Sequence, residues 1–115
     1  MMFDQEFTRL RAPLVASRLG TKVPDWPNAA ELLIEEVSVQ PNKTSESTTD
    51  ARDQNVVGWR IRSRAGVDLD IKGSDRVKLE NGAVCEVIGE IGRWPHPIKP
   101  GAVHHVEFDV QRVTG

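Results

Sequence analysis

The chain is short of most residues from which function is usually read. It has one cysteine among 115 residues, so no internal disulfide framework exists, and the lone Cys85 sits in an apolar run that reads as core rather than as a reactive thiol. Tyrosine is absent and aromatics make up only 5%, which leaves few large anchors for a core. No window approaches the roughly 20 apolar residues of a membrane-crossing helix, and MMFDQEFTRLRAPLV at the start has no apolar segment of signal-peptide type. The expectation is a soluble protein made in the cytoplasm, with no membrane contact. Charge of one sign is also missing. Fifteen basic and seventeen acidic side chains leave a net charge of -2, which gives neither the positive footprint of a phosphate binder nor an acidic tail.

Catalytic patterns are missing too. His96, His104 and His105 are the only histidines, with no cysteine pair nearby and no His-Glu-x-x-His spacing. In a strand, adjacent His104 and His105 point to opposite sides, so spacing assembles no metal site. Serine, histidine and aspartate occur without a nucleophile setting, and Gly89-Glu90-Ile91-Gly92 lacks the strand-loop-helix context of a phosphate loop. The reading therefore names no catalytic residue, cofactor or metal ligand, and expects no enzyme.

What is present is alternation. A chain this long is normally one domain with a modest core, here 38% hydrophobic and 28% charged. Residues 1–30 read as an N-terminal arm, broken by Pro13, Gly20, Pro24 and Pro27, in which Arg9 and Arg11 add positive charge and Trp26 sits between prolines as an anchor. Residues 31–115 read as a small β-barrel. In ELLIEEVSVQ, Leu33, Val37 and Val39 share a parity, although Ala29 to Leu32 would also suit a helical turn. Residues 41–55 contain almost no aliphatic side chain and read as a long exposed loop.

Further on, Val57, Trp59 and Ile61 alternate with Arg60, Arg62 and Arg64, and nearby acids favour a solvated or ion-paired outer face over a phosphate-binding one. Val67, Leu69 and Ile71 read as a strand opposed by Asp68 and Asp70. Asn81-Gly82 between two apolar runs is a hairpin signal, with both residues able to take positive φ, and Trp94 after it reads as an internal plug for the barrel. Val106, Phe108 and Val110 point inward on a closing strand. Together these elements predict a mainly β chain: a small antiparallel barrel with an extended N-terminal arm, a long polar loop and at most a short helix.

The order of Phe7-Thr8-Arg9-Leu10-Arg11, Val23-Pro24-Asp25-Trp26, Val39-Gln40-Pro41, Gly58-Trp59-Arg60, Ala65-Gly66-Val67-Asp68-Leu69, Ser74-Asp75-Arg76-Val77, Gly92-Arg93-Trp94-Pro95-His96-Pro97, His105-Val106-Glu107-Phe108 and Arg112-Val113-Thr114-Gly115 resembles the head-to-tail stopper, or head-completion, proteins of long-tailed bacteriophages. The versions in phages of actinobacteria are the most similar. The resemblance covers nearly the whole chain and rests on order and spacing. It implies a virion protein of the neck: a homo-oligomeric ring of about twelve subunits, with a portal-bound adaptor above and tail-completion or tail-tube proteins below. Such a ring helps close the DNA channel after packaging, stays near the DNA without gripping it, and offers the tail an attachment surface. On that basis Arg9, Arg11 and Trp26 would contact a neighbour or the adaptor, and Lys43, Glu46 and Arg52 would face the channel or an adjacent subunit. Asn81, Gly82 and Trp94 would form the structural hairpin. The alternatives are a neighbouring connector adaptor or tail-completion protein, or a nucleic-acid-binding barrel that uses the three outward arginines.

Overall fold

The computed structural model describes residues 3–42 and 58–113. Among the described residues eight strands follow one another: β1 (Gln5–Arg11), β2 (Leu14–Ala16), β3 (Lys22–Pro24), β4 (Ala30–Pro41), β5 (Gly58–Ser63), β6 (Arg76–Leu79), β7 (Val84–Pro95) and β8 (Val103–Arg112). One 3-10 turn, Trp26–Asn28, precedes β4. Six strands close an antiparallel barrel in the order β1-β4-β5-β8-β7-β6, and β2 pairs with β3 as a separate ribbon. Closure removes the open sheet edges that a small all-β domain would otherwise expose.

The barrel interior follows the alternation. Trp59 and Ile61 from β5, Val77 and Leu79 from β6, and Val106, Phe108 and Val110 from β8 are buried together with Phe7, Val37 and Cys85. Phe7 and Phe108 meet edge to face, with ring centroids 6.2 Å apart, a favourable aromatic geometry. Burial pushes the Cys85 thiol up to about 11, so at neutral pH it remains protonated core.

Several expectations change. Residues 5–11, assigned to the arm, form a full barrel strand that pairs with β4 on one side and β6 on the other. The protruding piece is the β2-β3 ribbon. β4 does not keep one parity: Ile34 faces Phe7 but Val37 faces Gln5, so one extra residue is accommodated on the β4 side, where Glu36 has φ 58°. The shift turns Val37 inward and leaves Leu33 outside, 52% exposed. Residues 67–71 are no strand. Leu69 and Ile71 are buried as the pattern demands, but the segment crosses one end of the barrel and plugs it. Trp94 is not the plug, since it is 51% exposed.

The turn at Asn81-Gly82 also differs in type. Only Gly82 has positive φ (88°), and the Gly82 amide donates to the Leu79 carbonyl at 2.9 Å while the Leu79 amide donates to Ala83 at the same distance. Glu80-Asn81-Gly82 is thus a three-residue loop, a type I turn completed by a left-handed glycine. The Asn81 side chain accepts the Ala83 amide at 2.9 Å instead of adopting positive φ itself. Nothing lies within 4 Å of a Cβ built on Gly82, so Gly82→Ala carries only the backbone cost of the left-handed region. It should destabilise the barrel by about 1 kcal/mol without altering the native fold, as read from the urea midpoint. An unchanged midpoint would contradict this turn assignment.

Candidate functional site

The strand directions give the barrel two unlike ends. The last residue of β1, Arg11, lies beside Ala30 at the start of β4, and Leu10 lies beside Arg76 at the start of β6. β7 runs past Glu86 towards the same end, where it meets the start of β8. From this end project the β2-β3 arm and the outer part of the β7-β8 ribbon. The opposite end carries the Glu80-Asn81-Gly82 turn and the junction where the Asn42 amide donates to the Gly58 carbonyl at 2.9 Å. Lys43, Glu46 and Arg52 lie outside the described residues.

The plug is tied down by arginines. On β1, Phe7, Arg9 and Arg11 alternate along one row, and the barrel needs apolar filling only as far as Phe7. Beyond it Arg9 reaches the plug and donates to both the carbonyl (3.1 Å) and the carboxylate (3.0 Å) of Asp70. Arg11 forms a two-pronged pair with Asp75, Nε to Oδ1 at 2.9 Å and Nη2 to Oδ2 at 2.8 Å, and also reaches Asp70. The Asp75 side chain is 1% exposed and accepts the Lys72 amide at 2.8 Å as well. From the other side Arg93 donates to the carbonyls of Leu69 (3.1 Å) and Ile71 (3.0 Å), the backbone acceptors that a plugging segment leaves without a ladder. The buried Ser63 hydroxyl accepts the Val106 amide (2.8 Å) and donates to the Val67 carbonyl (2.9 Å), so the entry to the plug is fixed as well.

These contacts place the sequence-named residues. Arg9 and Arg11 are brought together on the plug, within the chain. Their hydrogen bonds hold the Asp70 carboxyl below its ordinary value, with the bond from Arg11 the largest cause and its charge the next. The Arg11 guanidinium is correspondingly raised above its own, chiefly by Asp75. Trp26 is half-buried and lies under the Arg76 guanidinium, 4.2 Å from its ring centre, which seats the 3-10 turn on the barrel wall. Asn81, Gly82 and Trp94 do not form one unit: the turn and the tryptophan are at opposite ends.

The arginine face of β5 is ion-paired. Arg60 contacts Glu107 (2.6 Å) and Asp109 (3.1 Å), Arg62 lies 3.4 Å from Glu107, and Arg64 pairs with Glu36. Burial alone would raise the Glu107 carboxyl, but hydrogen bonds from Arg60 and His105 and the charges of Arg60 and Arg62 outweigh it and hold the group below its ordinary value.

The histidines also depart from expectation. Trp94 pairs with His105 but Pro95 pairs with Val103, which leaves His104 as an extra residue in a bulge. The bulge brings the two neighbouring rings together, Nδ1 to Nδ1 at 2.8 Å, instead of on opposite sides. His105 Nε2 lies 2.9 Å from Glu107, and Trp94 stacks on its ring. His96 Nδ1 accepts the amides of Ile98 and Lys99, closing its own turn. Among the described residues no group of three or more histidine, cysteine or acidic side chains has metal-binding geometry.

What distinguishes the arm-bearing end is uncovered apolar surface. Leu14, Val15, Leu19 and Val23 are exposed on the arm, Leu32 and Leu33 at its base on β4, and Val67, Trp94 and Ile98 across the same end. These are all the exposed large apolar side chains among the described residues, and none is at the opposite end. The arm was missed as a hairpin although its signal exists. The Gly20 amide donates to Ser17 (3.0 Å) and the Ser17 amide to Thr21 (2.7 Å), with Gly20 at φ 83°. Arg18-Leu19-Gly20 thus repeats the geometry of Glu80-Asn81-Gly82, but with a leucine in the place of asparagine, 90% exposed at the tip.

No family model matches the chain, and no curated protein matches it. Among solved structures, the protein SF1141 from Shigella flexneri 2a, a structural genomics target, is similar over 96% of this chain and 93% of its own, with 16% identity and a TM-score of 0.57. That likeness is one of fold.

The arginine clamp makes two testable statements. Arg11→Ala leaves the buried Asp75 carboxylate without its counter-charge and should cost about 3 kcal/mol by urea unfolding, whereas Asp75→Asn, which removes the buried charge, should cost less. Equal losses would contradict the asymmetry. Both Asp70 and Glu107 have depressed folded values, so their stabilising contribution is complete above the unfolded carboxylate range near pH 4 and is lost as pH falls through the folded values. The urea midpoint should therefore drop between pH 5 and pH 2. Arg11→Ala should flatten part of that drop, and an identical pH profile in the variant would sink the assignment.

Proposed function

We propose that the chain is a structural protein of a phage neck. It would sit in a ring, about twelve subunits round, between the portal-bound adaptor and the tail, helping to close the DNA channel after packaging and presenting the surface to which the tail attaches. The observation that carries this reading is the concentration of exposed apolar side chains at one end of a closed barrel, around a projecting two-stranded arm. An uncovered apolar surface of this kind, rimmed by charge, suits a protein interface rather than a solvent-facing end.

The electrostatics fit the same reading. A lining for a DNA passage works without tight phosphate binding, and here Arg60, Arg62 and Arg64 are each matched by an acidic partner. The same pairing weakens the case for a nucleic-acid-binding barrel, which needs those arginines for phosphates. Arg9 and Arg11 are spent on the plug, so contacts with a neighbour or adaptor fall to the arm itself.

A particle image that resolves this chain in place is the decisive experiment. A closed ring between adaptor and tail is the expected result, and a chain found away from the neck would overturn the proposal. A second expectation concerns residues 43–55, whose sequence lacks core side chains. Asn42 and Gly58 are already bonded to each other, so deletion of 43–55 should leave the barrel folded by circular dichroism while weakening DNA retention or neck assembly. Particles that assemble and retain DNA as the wild type does would reject a role for that segment.

A further inference from the structure

Two groups of the uncovered apolar side chains, those of the arm and those of β4, have opposite charge around them. On the arm, Leu14 pairs with Pro24 and Ala16 with Lys22, so Leu14 and Lys22 lie on one face of the ribbon, and Leu19 projects from its tip beside Arg18. Leu14 is 64% exposed, and between Ala12 and Pro24 the sequence has two basic residues and no acidic one. On the outer side of β4, Leu33 lies between Glu31 and Glu35, both exposed. Glu36 is already taken by Arg64, but neither Glu31 nor Glu35 appears in an ion pair among the described residues.

We propose that the arm of one copy docks on the β4 outer face of a second copy. Leu19 and Leu14 cover Leu33, and Arg18 and Lys22 pair with Glu31 and Glu35. The inference rests on the ring reading above and supplies the acceptor surface that it lacks. A second copy is the occupant that covers the arm group and the β4 group in one contact, with matching charge on each side. The arm leaves its own Leu33 exposed, so the contact is not made within one chain. Donor and acceptor are different patches, which makes the contact heterologous: repeated, it closes into a ring if the rotation allows and otherwise runs on as a filament.

The test uses the full chain and two variants at exposed positions, Leu19→Asp and Leu33→Asp, each checked for a native circular dichroism spectrum. In sedimentation velocity the wild type should associate as concentration rises, and each variant alone should remain a monomer. Mixed in equal amounts, the two should form a dimer and nothing larger, because Leu33→Asp still offers an arm and Leu19→Asp still offers an acceptor. Leu19→Cys on one chain and Leu33→Cys on the other should form a disulfide in the mixture under mild oxidation, with Cys85 buried out of reach. A Leu33→Asp variant that assembles like the wild type, or a mixture that gives no dimer, overturns the docking. So does a wild type that stays monomeric and gives no cross-link at its highest soluble concentration. A ring seen in the particle with β4 away from the neighbouring arm would overturn this contact while leaving the ring reading intact.

Discussion

The pair between Arg11 and Asp75 is the constraint on which one end of the molecule depends. A carboxylate this deeply buried is tolerable only with a counter-charge and with its oxygens occupied, and Arg11 and the Lys72 amide supply both. Asp75 stands directly before β6, and Arg11 closes β1, the strand beside it. Their contact fixes how the plug enters the barrel wall. Arg9 on Asp70 and Arg93 on the carbonyls of Leu69 and Ile71 then hold the plug from two sides. Leu69 and Ile71 can fill the barrel end because both of their carbonyls accept from the Arg93 guanidinium and the Ile71 amide donates to the Leu69 carbonyl at 3.0 Å.

The same constraint explains which parts of the fold were legible in the sequence. β5 and β6 were readable because one residue in two is apolar and each keeps its parity from end to end, and β8 was readable from Val106 onward, beyond its bulge. β1 was not, since its inward row runs Phe7, Arg9, Arg11, and two arginines on a core face look like an exposed arm until the plug they serve is in place. Alternation at Leu69 and Ile71 marked burial but not pairing: a segment that crosses a barrel end also buries every second side chain. Parity arguments failed at Leu33 and at His104-His105 for one reason. A bulge inserts a residue, and every side chain beyond it changes sides.

Within the candidate site, the polar half of the arrangement was the harder to see. Arg60, Arg62 and Arg64 looked ion-paired from composition alone, and they are. Arg9 and Arg11 read as the positive charge of an arm that would contact a neighbour, yet both are ion-paired within the chain, to acids some sixty positions away. Trp59 was placed inward by its parity with Ile61 and is buried, whereas Trp94, read as an internal plug, is half-exposed and stacks on His105 beside the bulge. Leu19 was overlooked because a leucine at the centre of a turn breaks the usual chemistry, where asparagine or aspartate would stand. That breach is informative, since turns are cheap places to put polar residues and a leucine there has no use within its own chain.

The arm gains from being rigid. Its two strands are paired with each other, the Asp25 amide donates to Pro13 at 2.8 Å across its base, and Trp26 under Arg76 fastens the turn that leads back to the wall. A free tail carrying the same leucines would lose on the order of 1 kcal/mol of conformational entropy for each residue ordered on binding, enough to cancel most of what a few exposed leucines return. A preformed hairpin loses little. The arm leaves β1 directly after Arg11, so the residue that clamps Asp75 also fixes the strand end from which the ribbon departs.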